Sequence, residues 1–139
     1  MKKLLMLCLS VVFFAACSSS EDKLFRKAQI LTDKGQLEKA IQTYSTIIKK
    51  NPQHYASYVS RGLLYEQLKV KDAEQAKKNK KITKKDYEKA ISLEYRRPEL
   101  FNNLAALYID QGRYSEAVLQ LNQALLLRPN YLMALLNRA

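Results

Sequence analysis

The sequence is poor in the residues that catalysis, metal binding and nucleotide binding require. Its 139 residues include one histidine, two cysteines and no tryptophan. One histidine cannot build the cluster of cysteine and histidine ligands that zinc needs. The glycines stand singly at 35, 62 and 112, so no glycine-rich loop can hold a phosphate. His54 is expected at a surface between helices, and we expect no enzyme, no metal and no cofactor.

Turn-forming residues are scarce as well, since the chain has three glycines and three prolines. Because these residues punctuate turns, their scarcity favours a chain of helices with few sharp turns. Apolar residues recur at spacings of three and four, as in Leu24, Ala28 and Leu31, which is the pattern of one helix face. The sequence therefore predicts an all-α fold.

Two sets of small or apolar residues, each closed by a proline, share one spacing of 12, 7 and 5 residues: Ala28, Ala40, Ile47 and Pro52, and Ala105, Ala117, Ala124 and Pro129. This register resembles the tetratricopeptide repeat, a helix-turn-helix unit of about 34 residues. The resemblance covers nearly all of residues 21–139. It implies a solenoid of about three helical hairpins over 23–139, which binds partner proteins across a stacked surface.

The repeats occupy about 21–54, 55–97 and 98–131, with a partial helix at 132–139. The second repeat is nine residues too long, and the excess falls in the lysine-rich segment 69–85. An extended helix would keep Ala76, Thr83, Tyr87 and Ala90 on one face, but it would place lysines four residues apart, where like charges repel. A basic loop would avoid that repulsion and give up the packing. We expect the extended helix.

The first residues predict export. Lys2 and Lys3 precede an apolar run over 4–14, which is shorter than the roughly 20 residues of a spanning helix. Small residues then precede Cys17, as in the signal of bacterial lipoproteins. That resemblance implies removal of residues 1–16, a lipid such as palmitate on Cys17, and a polar tether over 17–22. We expect anchoring in the bacterial cell envelope, on the periplasmic side of the outer membrane if the cell is Gram-negative. Ordinary secretion and a retained anchor are the alternatives.

In the tetratricopeptide family, the first helix of each hairpin lines the concave groove. Carried onto this chain, the partner-binding groove comprises Phe25, Gln29, Val59, Leu63, Glu66, Asn102, Asn103, Ala106 and Ile109. Asn102 and Asn103 are the best candidates for pairing with a peptide backbone, because an amide both donates and accepts hydrogen bonds. Members that bind chaperone tails use a basic clamp, and no lysine stands at the corresponding positions here.

The basic patch of the insertion comprises Lys77, Lys78, Lys80, Lys81, Lys84 and Lys85. Anionic lipid, an acidic envelope polymer and an acidic protein are its possible ligands, beside a plain solvated face. Nucleic acid is disfavoured, since residues 69–85 include no aromatic side chain on which bases could stack. The expected function is therefore a membrane-anchored envelope scaffold that binds another protein in an assembly or envelope-maintenance complex. Binding of an anionic polymer or lipid through 69–85 is the alternative.

The last residues are apolar, whereas a solenoid normally ends with a polar-faced helix. Residues 132–139 begin another first helix and stop after about two turns. Either the sequence belongs to a longer array, or the exposed end self-associates through residues such as Leu135 and Leu136.

Overall fold

The structure is a computed structural model that describes residues 19–138. These residues form seven α-helices and no strand. The predicted all-α repeat fold is thus confirmed. The signal segment and Cys17 lie outside the described residues. In chain order the helices are α1 Ser20–Asp33, α2 Leu37–Lys50, α3 Tyr55–Gln67, α4 Ala73–Ser92, α5 Pro98–Ile109, α6 Tyr114–Leu127 and α7 Leu132–Arg138.

The helices pack as consecutive hairpins, α1 with α2, α3 with α4, and α5 with α6, while α7 packs on α5 and α6. Small residues lie where helices cross, and the alanines at 28, 40, 105, 117 and 124 are all buried. Close approach of two helices requires small side chains there, since larger ones would overpack the crossing. The spacing pattern that predicted the repeats thus marks the real crossings.

Two clusters of buried residues form the core. The smaller cluster joins α1 and α2 to Leu64 of α3. The larger cluster extends from Tyr58 of α3 through α4, α5 and α6 to Ala134 of α7. In the larger cluster Tyr87 is fully buried and lies against Gly62. A methyl group at Gly62 would meet the Tyr87 ring at 2.7 Å, so glycine lets α3 and α4 approach closely at this point.

Three of the helices end in the same way. After α1 and α5, Gly35 and Gly112 each adopt a φ of 69°, and the next amide bonds back to the helix, as in Gln36 N to Leu31 O at 2.9 Å. This is the Schellman cap, whose left-handed residue is usually glycine. After α4 the same position is held by Glu94, at a φ of 66°.

From Ala73 on, the insertion is helical, as expected. α4 has 20 residues, against 14 in α2 and in α6, and Thr83, Tyr87 and Ala90 are buried on one of its faces. Its first turn is capped by Asp72, whose carboxylate accepts a hydrogen bond from the Gln75 amide at 2.7 Å. The cap satisfies an amide that otherwise lacks a partner.

The first helix begins earlier than the predicted tether allows. Ser19 caps α1 by accepting from the Asp22 amide at 3.1 Å, while the Asp22 carboxylate accepts from the Ser19 amide at 2.8 Å. Residues 20–22 therefore form the first turn of α1. The capping box lowers the pKa of Asp22 through the hydrogen bonds from Ser19. Within 19–138, no helix is long and apolar enough to cross a membrane.

Candidate functional site

The predicted groove residues lie on α1, α3 and α5, the first helices of the three hairpins. Gln29, Leu63, Glu66 and Ala106 are exposed. Four others, Phe25, Val59, Asn103 and Ile109, are half-buried. These side chains give the surface both apolar groups and hydrogen-bonding groups, which is the composition that an extended peptide requires.

Phe25 also contributes to packing at the N-terminal end of this surface. Its ring lies 5.4 Å from that of Tyr44 and 5.2 Å from that of His54, measured between centroids. His54 in turn caps α3, since its Nδ1 accepts a hydrogen bond from the Ser57 amide at 3.3 Å. The histidine therefore lies between helices, as the sequence predicted, and holds the start of α3.

Asn102 is not free to bind a peptide. It is 7% exposed, and its Oδ1 accepts a hydrogen bond from Asn137 Nδ2 of α7 at 2.9 Å. The prediction that Asn102 pairs with a ligand backbone must be corrected, because the short last helix covers it. The next residue, Asn103, is half-buried and remains a candidate groove residue.

The centre of the surface holds an unusual polar group. The hydroxyl of Tyr87 is buried and makes no hydrogen bond with the described residues, although Glu66 and Asn103 face it. Although Glu66 is exposed as a residue, its carboxyl is partly desolvated beside Tyr87, and this raises the pKa of Glu66. Burial, followed by the charge of Glu66, raises the pKa of Tyr87. Both shifts favour the protonated forms, so the Tyr87 hydroxyl keeps its proton.

A buried ion pair holds the second hairpin in place behind the groove. Arg61 of α3 donates to both carboxylate oxygens of Asp86 on α4, at 2.7 and 2.8 Å, and to Ser45 Oγ on α2 at 3.0 Å. Because Arg61 touches three helices, it fixes the first hairpin against the second. Sequence reasoning missed this pair.

The six lysines of the basic patch do not form one uniform surface. Lys77, Lys80, Lys81 and Lys84 line a cleft of about 670 Å³ beside the end of α5. Lys78 instead lines another depression with Lys77 and Lys81, at the start of α4. Lys85 is exposed and lines neither.

Part of the basic charge is neutralised within the chain. Lys80 pairs with Asp110 at 2.6 Å. Lys84 lies 3.9 Å from Glu88 and sits over the ring of Tyr108, 5.2 Å from its centroid. Among residues 19–138, no group of three or more histidine, cysteine or acidic side chains could hold a metal ion.

Comparison with known proteins shows similarity along most of the chain. Two family models, both described as tetratricopeptide repeat, match residues 25–77 and 98–131 and together cover more than half of the sequence. Human tetratricopeptide repeat protein 13 is 29% identical over 117 residues, 84% of this chain. Human protein O-mannosyl-transferase TMTC3 is 33% identical over 112 residues, 79% of this chain. The chain spans only 13% and 11% of the lengths of these relatives.

Solved structures share the fold. The first tetratricopeptide domain of Spaghetti (RPAP3), bound to an HSP90 peptide, superposes with a TM-score of 0.71 at 18% identity, over 87% of this chain and 89% of that one. The type III secretion chaperone SycD of Yersinia enterocolitica, in complex with a peptide of the translocator YopD, gives 0.62 at 16% identity, over 80% and 78%.

Proposed function

We propose that this chain is a protein-binding scaffold whose ligand is an extended segment of another protein. The premise is that the chain belongs to the tetratricopeptide repeat family. The observation that carries the proposal is the set of apolar and polar side chains on α1, α3 and α5, of which Gln29, Leu63, Glu66 and Ala106 are exposed. Structures of the same fold hold peptides of HSP90 and YopD. The transferase activity in the name of TMTC3 belongs to a protein of which this chain spans only 11%.

The experiment is site-specific photocrosslinking in the cell. A benzophenone amino acid replaces Leu63 on the groove or, as the control, the exposed Gln123 on α6. We expect one dominant protein adduct from position 63 and none from position 123, with the partner identified by mass spectrometry. Loss of that adduct on the further change Asn103→Ala would support the groove. Identical adducts from both positions, or no adduct from position 63, would refute it.

The same proposal includes an anchor in the bacterial envelope. It is supported by the lysine start, the short apolar run and the small residues before Cys17. Residues 1–16 are removed and Cys17 carries the lipid, which places the scaffold on the periplasmic face of the outer membrane in a Gram-negative cell. There it serves an assembly or envelope-maintenance complex.

Metabolic labelling with an alkyne analogue of palmitate tests the anchor. Cys17→Ser should abolish the label and move the protein from the membrane fraction to the soluble fraction. Cys8→Ser, the matched control inside the apolar run, should keep both the label and the fraction. A label that survives Cys17→Ser would exclude lipidation at this residue.

The alternative function, binding of an anionic polymer or lipid through 69–85, has weaker support. A surface that binds membranes by charge alone benefits from unpaired lysines on one face. Here Lys80 is paired with Asp110, Lys84 lies near Glu88, and Lys78 and Lys85 lie outside the cleft that the other four lysines line.

A further inference from the structure

One face of α1 is lined by positively charged side chains. Four cations, all exposed, follow one another along it: Lys23, Arg26, Lys27 and Lys34. Separations of three, four and seven residues place side chains on the same side of an α-helix. None of the four makes an ion pair with a residue of 19–138. This cationic strip therefore carries charge that the described chain leaves uncompensated.

An apolar side chain lies in the middle of the cationic strip. Ile30 is 53% exposed. It lines a depression of about 460 Å³ together with the four cations, and no acidic side chain of the described residues lines that depression. Positive charge beside an exposed apolar side chain gives the two attractions that hold a helix on a lipid surface.

The cationic strip lies at one end of the described solenoid. α1 packs mainly on α2, whereas α3 packs on both α2 and α4, and α5 packs on α4, α6 and α7. An end of a solenoid requires a polar face to remain soluble, but polar residues of either charge would meet that requirement. The single sign of charge on this face therefore needs a further explanation.

The acidic residues of α1 do not neutralise the strip. Glu21 accepts a hydrogen bond from Asn51, after the end of α2, at 3.0 Å. Asp22 is engaged in the capping box at the start of α1. Asp33 lines the neighbouring depression, on the side of α1 that carries Gln29. The cations thus face solvent beside Ile30 without an acidic partner.

We propose that the cationic strip of α1 binds the anionic headgroups of a membrane surface and fixes how the solenoid lies on it. Lipid phosphates pair with the lysines, and Ile30 enters the headgroup region. Lys23 and Lys34 are 11 residues apart, about 16 Å along a helix, so α1 lies along the surface. Four charges and one apolar side chain bind reversibly, so the strip orients the protein and does not replace an anchor.

This inference goes beyond the protein-binding function, and it rests on the proposed anchor only for the place of α1 beside a membrane. Cys17 precedes Ser20, the first residue of α1, by three residues, which span at most about 11 Å. A lipid on Cys17 would hold the strip at about the distance over which charges attract in physiological salt. The strip shares no residue with the predicted groove, so a partner in the groove does not compete for it.

The test measures flotation of the purified full chain with lipid vesicles. The chain carries Cys17→Ser, so no lipid on that residue contributes. Vesicles of phosphatidylcholine alone measure the contribution of the apolar run over 4–14. We expect stronger binding when phosphatidylglycerol is added, and loss of this excess at high salt, which screens the charges. Equal binding to the two kinds of vesicle would overturn the proposal.

Matched variants locate the contact. Lys23→Gln with Lys27→Gln should weaken binding to the phosphatidylglycerol vesicles at least about tenfold, since each lysine near an anionic surface contributes about fivefold. Ile30→Ser should weaken it about fivefold through lost apolar contact. Lys77→Gln with Lys81→Gln, the same charge change on exposed lysines of α4, should weaken it far less. An equal or larger loss in the α4 variant would place the contact at 69–85 and overturn the assignment to α1.

Photocrosslinking in the cell distinguishes a membrane from an acidic protein. A benzophenone amino acid at Ile30 should give an adduct with phospholipid, detected through radioactive phosphate, and one at the exposed Gln42 of α2 should give none. A protein adduct in place of the lipid adduct at position 30 would overturn the proposal. Failure of the Leu63 crosslink bears only on the groove, and a palmitate label that survives Cys17→Ser bears only on the anchor.

Discussion

At the scale of single residues, the contact between Gly62 and Tyr87 determines how closely α3 and α4 approach each other in the second hairpin. The added methyl of an alanine would meet an aromatic carbon at 2.7 Å. Tyr87 is fully buried, so its ring cannot move into solvent. In an open helix alanine would be the better residue by about 1 kcal/mol. Here packing reverses that preference.

We therefore expect Gly62→Ala to lower the free energy of unfolding by about 1–3 kcal/mol, the usual cost of overpacking. Urea denaturation followed by circular dichroism measures the change. Ser60→Ala, on the same helix and only half-buried, serves as the control and should stay within about 0.5 kcal/mol of the wild type. An alanine at 62 that stabilises the protein would contradict the close contact.

The ion pair of Arg61 and Asp86 gives a second residue-level prediction. Both side chains are largely removed from water, at 18% and 4% exposure, so loss of one leaves the other charge buried and uncompensated. Asp86→Ala should cost about 3 kcal/mol of unfolding free energy. Glu116→Ala breaks the Arg113–Glu116 pair, which is just as short at 2.6 Å but 42% and 40% exposed, and should cost much less, because water screens the charges of an exposed pair. Similar losses in the two variants would show that burial does not matter here.

The residue scale also separates what the sequence can predict from what it cannot. The alanines at the crossings follow from the repeat spacing, since small residues are required wherever two helices touch. The Arg61–Asp86 pair does not follow, because it joins residues 25 positions apart across a hairpin of unusual length. Asn79 stands as a neutral amide within a run of lysines, and only the packing of α4 reveals that it is buried.

At the scale of elements, α4 departs from the other second helices in its length and in both of its ends. Its start is fixed by the Asp72 cap, and its end by a Schellman turn around Glu94. The amide of Tyr95 bonds back to Ala90 O at 3.1 Å, so Glu94 must hold its φ of 66°. A left-handed conformation costs a residue with a Cβ atom about 1–2 kcal/mol.

Glu94→Gly should therefore raise the free energy of unfolding by about 0.5–1 kcal/mol. The substitution relieves the strain of the left-handed backbone, but glycine offsets part of this gain because it has more conformational freedom in the unfolded chain. Differential scanning calorimetry measures the change. The reverse substitution, Gly112→Ala at the matching cap of α5, where φ is 69°, should lower it by about the same amount. A destabilised Glu94→Gly variant would mean that the glutamate side chain contributes more than its backbone strain costs.

The sequence predicted that the insertion extends a helix, and the reason is visible at this scale. Two added turns keep the buried face in phase, so Thr83, Tyr87 and Ala90 still reach the core. It could not predict the clefts, because these depend on where α5 ends relative to the extra turns. Nor could it predict that α7 covers Asn102, since that contact is made by a helix of only seven residues.

At the scale of the whole molecule, the C-terminal end of the described solenoid carries an exposed apolar patch. α7 exposes Leu132, Met133, Leu135 and Leu136, and the neighbouring α6 exposes Leu126 and Leu127. Large exposed apolar patches usually mark an interaction surface. Self-association through this patch is therefore the expectation to test.

Size-exclusion chromatography with light scattering tests this expectation. The wild type should be a dimer at micromolar concentration, and Leu135→Asp with Leu136→Asp should be a monomer. Ile30→Asp with Lys34→Asp, at the opposite end of the solenoid, should remain a dimer. A monomeric wild type would disprove self-association through α7.

The division of the core into two clusters has a consequence for how the molecule responds to force. The smaller cluster has six buried residues on α1, α2 and α3, while the larger has thirteen and reaches from α3 to α7. In repeat proteins each unit is stabilised mainly by its neighbours, so the end units open first. Tension applied at the N-terminal end of α1 would therefore unravel the first hairpin while α3 to α7 kept their shape. The first hairpin would thus lengthen under load, while the clefts along α4 stayed intact.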